Sequence, residues 1–122
     1  MELNILRADP AGNITVFVLD PVEKAQRAAI AEKIMAIPAL KAEQVGYACA
    51  AEDDVDGHME MMGGEFCGNA TRAYGMYIAQ QKGGLSSVRL RVSGCDHVVT
   101  AQVNLKSGTA RATVVCGAWA LA

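Results

Sequence analysis

Only two stretches of this 122-residue chain carry a helical period, and β-type runs stand before, between and after them. Residues 22–36 gather Ala and Ile on one side and Glu23, Lys24, Arg27, Glu32 and Lys33 mostly on the other. Pro21 suits the start of that helix and Pro38 its end. Residues 68–82 place Ala70, Ala73, Tyr74, Tyr77 and Ile78 at the spacing of one apolar helical stripe, and Gly83-Gly84 closes it. Gly75 inside this helix costs about 1 kcal/mol relative to Ala, which implies a close neighbour at that point. The remainder reads as strands. ITVFVL at 14–19 is an almost unbroken apolar run, suited to a strand covered on both faces. QVGYACAA at 44–51 reads as a buried strand, EDDVDG as a turn, and HMEMM as a short strand. Strict alternation marks VRLRV at 88–92, the run from Val99 to Leu105, and Ala110, Ala112 and Val114 after the KSGT turn. The predicted order is β-β-α-β-β-α-β-β-β, an α+β fold in which a mixed or antiparallel sheet wraps a central helix.

The length suits a single domain, residues 1–122, with no linker and no short-period repeat. Hydrophobic residues make up 52% and aromatics 5%, so the core must come mainly from Ala, Val, Ile, Leu and Met. Met59, Met61 and Met62 read first as core filler. A net charge of −2 gives no support for nucleic acid or an anionic membrane as partner. The start MELNILRADP lacks the basic and apolar regions of a signal peptide, and no apolar run approaches the roughly 20 residues of a membrane span. The expected location is the cytoplasm, where the four cysteines read as free thiols. Cys49, Cys95 and Cys116 lie on or near strands and read as core residues. Cys95 and His97, with a further Cys or His58, lack the paired Cys-x-x-Cys spacing of structural zinc, so no metal site is predicted. His58 follows an acidic loop and reads as solvated, and Arg89 and Arg91 as one solvated strand face.

Cys67 differs from the other three. It stands in GGEFCGNATRAYG, immediately before the second helix, where Ser, Thr or Asp is the ordinary cap. The first N–H groups of a helix have no partner within it and carry the positive end of its dipole. A thiolate at such a point is stabilised, and the same N–H groups can hold a carboxylate. Gly68 lets a ligand approach the backbone closely. A thiolate beside an anion cradle suits removal of the α-proton from an amino acid, with charge spreading onto the bound carboxylate. Inversion needs a second acid on the opposite face. The glycine-rich stretch lacks the pattern of a phosphate loop.

EFCGNATRAYG resembles the first catalytic-cysteine motif of the diaminopimelate epimerase family, the cofactor-independent amino-acid racemases and epimerases. Glu65, Phe66, Cys67, Gly68, Asn69, Ala70 and Arg72 match in order. GNITVFVLD resembles that family's substrate-contacting strand, which gives Asn13 a substrate-binding role. The resemblance implies Cys67 as the catalytic acid or base, and Gly68, Asn69 and Ala70 as donors to the substrate. Glu65 and Arg72 are read as supporting residues or as surface. It implies no cofactor, and one half of a duplicated fold. The chain would be the amino-terminal half, and the second cysteine would come from a carboxy-terminal half or from a second copy. Three departures stand out. Ala70 replaces a glycine, MEMMGG lacks a substrate-binding Asn, and the second half's cysteine signature is absent. Cys116-Gly117 follows a strand and opens no helix, so it is not the second base. An amino acid other than diaminopimelate is therefore the expected substrate. Phe66, Cys67, Gly68, Ala70 and Thr71 also resemble the phenazine-biosynthesis isomerase-like proteins, in which the cysteine is not the base. The remaining alternatives are a non-catalytic assembly module and a redox-responsive thiol protein.

Overall fold

The computed structural model describes residues 2–9 and 12–113. Val114 and Cys116 lie outside these residues. The observed elements are β1 (Ile5–Ala8), β2 (Thr15–Val18), α1 (Lys24–Met35), β3 (Gln44–Cys49), β4 (Gly57–Met61), α2 (Gly68–Gln81), β5 (Ser87–Val92), β6 (Val99–Asn104) and β7 (Thr109–Thr113). Their order is the one the sequence predicts. The ends differ by a residue or two, as at α1, where the chain from Pro21 to Glu23 stays extended and Glu23 is the cap residue.

The seven strands lie in one sheet in sequence order. Most neighbours are antiparallel, but β2–β3 and β4–β5 are parallel. A parallel pair needs a crossover, and α1 and α2 supply the two. β4 runs antiparallel to β3, so the second crossover joins strands pointing the opposite way. Both step in the same direction across the sheet. A constant right-handed crossover therefore puts the two helices on opposite faces. The side chains of β2 record this. Phe17 packs in the cluster around α2, whereas Val16 and Val18 pack with Ile30, Ala31 and Ile34 of α1. All four β2 residues are fully buried, which explains the unbroken apolar run.

The sheet curls around α2. Tyr74, Ile78, Ala70 and Ala79 of the helix meet Met59, Val88, Leu90, Val99, Ala101 and Val103 from three strands. Burying each of the larger side chains contributes about 1.5–3 kcal/mol. The ring of Tyr74 stands 5.4 Å from Phe17 and 5.9 Å from Tyr77. Gly75 is the point of closest approach. A Cβ there would lie 3.0 Å from the Ala101 Cβ and 3.4 Å from a Leu90 methyl. The close neighbour that a mid-helix glycine implies is therefore the β5–β6 floor. On β5 and β6 the inward residues are buried and Arg89, Gln102 and Asn104 are exposed, as the alternation requires. Met59 and Met61 are core, whereas Met62 is 37% exposed.

Two outcomes follow for the core. Gly75→Val adds three carbons against a strand floor with no room, and is expected to destabilise by about 1–3 kcal/mol in urea unfolding. Gly75→Ala is expected to be nearly neutral, because better helix propensity offsets the tight contact. The second outcome concerns Tyr74, whose burial pushes its hydroxyl up to about 12. Unfolded tyrosine ionises near pH 10. Between that value and about 12 the unfolded chain has lost a proton that the folded chain keeps, so stability falls as pH rises through this window. Tyr74→Phe should remove this decline. Between about pH 8 and about pH 11.5 its unfolding free energy should drop by about 2 kcal/mol less than that of the unsubstituted protein.

Candidate functional site at the start of the second helix

Cys67 caps α2. Its backbone is extended, and its sulfur accepts the N–H of Ala70 at 3.5 Å. This is the Ser or Thr capping bond with sulfur in the hydroxyl's place. The sulfur also accepts Gln44 Nε2 at 3.2 Å. Two N–H donors converge on one half-buried sulfur at a helix mouth. The N–H groups of Gly68 and Asn69, the first two of the helix, have no carbonyl within it to bond. Neither has a hydrogen-bond acceptor among the described residues.

The supports of this turn reach deep into the core. Among the described residues, the buried polar side chains are Thr15 and Thr71. A buried hydroxyl is costly unless it is hydrogen-bonded. Thr71 Oγ1 donates to the carbonyl of Cys67 at 2.8 Å, and the Thr71 N–H bonds the same carbonyl at 2.9 Å. Thr15 Oγ1 accepts Gln44 Nε2 at 2.7 Å. Both buried threonine hydroxyls thus serve the Cys67 turn, one directly and one through Gln44. The Gln44 backbone is fixed in turn, since the N–H groups of Glu43 and Gln44 bond the carbonyl of Ile14. Asn13, half-buried, immediately precedes Ile14. It therefore lies at the end of the sheet where Gln44 reaches Cys67.

Below the turn, the β5–β6 connection holds the approach to Cys67. Ser93 Oγ donates to the carbonyl of Glu65 at 2.7 Å and accepts the N–H of Met61 at 2.8 Å. Gly94 has φ +75, and a Cβ there would lie 2.3 Å from the N atom of Phe66. Only glycine lets the two backbones pass so closely. Phe66 packs against the main core beside this contact. Glu65 itself is exposed, and its carboxylate leans back over Gly63. Arg72 donates from Nη2 to Asn69 Oδ1, a bond between the first and second turns of α2. Gln44, Thr15, Ser93 and Gly94 were not singled out in the sequence. A glycine two residues past the end of β5 was the one available signal, because the others act only through long-range contacts.

The remaining cysteines have different surroundings. Cys49 is a half-buried free thiol at the end of β3. Burial and the nearby Glu60 carboxylate push its thiol up. Cys95 is disulfide-bonded, which corrects the expectation of four free thiols. His58 is not a solvated loop residue. It lies on β4, with its Nε2 3.6 Å from Glu60 Oε2. A cavity of about 600 Å³ is lined by Leu3, Ile5, Ile30, Ile34 and Leu40 among others, on the α1 face, and takes no residue of the Cys67 turn. No helix among the described residues is long and apolar enough to cross a membrane.

A strand-wrapped helix whose first turn is capped by a thiol defines the class of domain. The chain belongs to the family described as the histidine racemase CntK N-terminal domain, which it matches over residues 2–117. It is 42% identical over 79 residues to a histidine racemase of Fusobacterium nucleatum subsp. nucleatum, covering 63% of this chain and 27% of that protein. It is 34% identical over 100 residues to a histidine racemase of Staphylococcus aureus, covering 79% of this chain and 36% of that protein. The chain thus corresponds to roughly a third or less of the length of these curated relatives.

Gly94→Ala tests the clamp. The added methyl meets backbone at both Glu65 and Phe66, and φ is positive, so unfolding free energy should fall by about 3 kcal/mol or more. Ser93→Ala should lose only about 1 kcal/mol. Urea unfolding measures both.

Proposed function

We propose that this chain supplies one face of an amino-acid racemase site, with Cys67 as the proton-transferring group and histidine as the substrate. The observation that carries the reading is the sulfur at the mouth of α2 with two N–H donors aimed at it. The relatives are named as histidine racemases, which supports racemisation of an amino acid, and of histidine in particular. A substrate other than diaminopimelate also accords with the missing Asn before the cysteine.

The chemistry follows from the geometry. The substrate carboxylate docks on the free N–H groups of Gly68 and Asn69, and Asn13 holds a second backbone group of the substrate. The Cys67 thiolate takes the α-proton, so the C–H bond breaks and an S–H bond forms. The electron pair spreads from the α-carbon into the carboxylate, where the helix N-terminus stabilises the added charge. A second acid on the opposite face returns a proton to the planar carbon, giving the mirror-image amino acid. That acid comes from a further part of a longer protein or from another copy of this chain. Ala70 acts on the sulfur through its N–H, and Arg72 steadies Asn69. No cofactor enters this scheme.

Alkylation by iodoacetamide, read cysteine by cysteine by peptide mass analysis, tests the assignment. Cys67 should react at least about tenfold faster than Cys49 near pH 7, because burial and the Glu60 carboxylate hold the Cys49 thiol up whereas amide donors face the Cys67 sulfur. Added histidine should slow Cys67 alone. Equal rates, or no effect of histidine, would sink the proposal. Incubated with histidine in D₂O, the active protein should exchange the α-hydrogen, and Cys67→Ala should abolish that exchange.

A further inference from the structure

A second cluster of reactive side chains stands at the other end of β3 from Gln44. Cys49 closes that strand, and His58 is its direct partner on β4. Glu60 follows His58 by two residues, so both project from the same face of β4. Glu60 lies opposite Tyr47. The three side chains are half-buried, and one donor atom from each lies within 4.8 Å of the others. His58 Nε2 is 3.6 Å from Glu60 Oε2, and Cys49 Sγ is 3.8 Å from Glu60 Oε1. In a tetrahedral zinc centre, bonds of about 2.0–2.3 Å set neighbouring donor atoms roughly 3.3–3.8 Å apart. The His58–Glu60 edge through Oε2 already has that length, and the Cys49 sulfur stands at the same range from the other oxygen of the carboxylate.

We propose that Cys49, His58 and Glu60 form a binding site for a borderline-soft divalent cation of the Zn²⁺ type, with a fourth coordination position left to water. The donor set decides the class of ion. One sulfur, one imidazole and one carboxylate suit Zn²⁺ and its first-row neighbours, whereas Mg²⁺ and Ca²⁺ want oxygen alone. Binding releases the Cys49 proton to solvent and leaves the imidazole neutral.

Arg27 completes the arrangement. Its Nη1 holds Glu60 Oε1 at 2.5 Å, which turns Oε2 toward His58. Its Nη2 reaches Cys49 Sγ at 3.7 Å, and its guanidinium stacks over Tyr47 at 5.2 Å from the ring centre. The Tyr47 hydroxyl in turn donates to the carbonyl of Arg27 at 2.5 Å. A ligating carboxylate held from outside by a fixed donor is the usual outer arrangement of a metal site. A thiolate and a carboxylate against the Arg27 guanidinium leave one negative charge at the cluster, and the nearby Lys24 is exposed to solvent. Arg91, opposite His58 on β5, is engaged by Asp54 at 3.2 Å.

Titration of the metal-free protein with Co²⁺ is the test. A 1:1 complex should form with a sulfur-to-cobalt charge-transfer band and tetrahedral ligand-field bands. Cys49→Ser should remove the charge-transfer band, and His58→Ala should weaken binding at least about tenfold. Cys67→Ser should leave the spectrum unchanged. In the unsubstituted protein, Zn²⁺ should slow alkylation of Cys49 at least about tenfold without slowing Cys67, and Mg²⁺ should slow neither. This second arm does not depend on any variant folding. A band that survives Cys49→Ser, a band that disappears with Cys67→Ser, or Zn²⁺ that leaves Cys49 as reactive as before would overturn the site.

Discussion

The cap of α2 is the contact on which the rest depends. The first N–H groups of a helix have no carbonyl within it, and the chain that leads into a strand-wrapped helix has to be held in place. Cys67 does this with its sulfur, and its carbonyl takes both the N–H and the hydroxyl of Thr71. The core accepts two buried hydroxyls to hold this one turn. A sulfur cap is a weaker hydrogen-bond partner than a Ser hydroxyl. The extra donor from Gln44 and the backing of Ser93 and Gly94 offset that weakness. The same features leave a thiol half-exposed, oriented, and next to unbonded amides.

The sheet topology gives the domain two distinct helix-covered faces. Reversal of strand direction between β3 and β4 sends the two crossovers to opposite sides. The α2 face carries the large core and ends at Cys67. The α1 face carries the smaller cluster around Val16, Val18 and Tyr47, and borders the Arg27–Glu60 pair. β3 links the two, with Gln44 at one end touching Cys67 and Cys49 at the other touching Arg27 and Glu60. Two free thiols on one short stretch of fold thus meet opposite electrostatics. Amide donors surround one, and a carboxylate with a guanidinium surrounds the other.

The sequence by itself determined the element order, because period and punctuation are local. Two helical stripes, an unbroken run at β2 and alternating runs at β5 and β6 each report their own surroundings. It also singled out Cys67, since a cysteine in a capping position is visible without any tertiary contact. Gly75 announced a close neighbour for the same reason. Tertiary structure alone decided what surrounds the thiol. Gln44, Ser93 and Gly94 come from residues 23 to 27 positions away, and strand pairing brings them in. His58 followed the same rule. Read in the sequence it sits behind an acidic loop, and only the register of β3 against β4 puts it opposite Cys49 and beside Glu60. Local order is written in the spacing of neighbours along the chain, whereas a site is made of residues far apart in it, and only the folded sheet brings them within bonding distance.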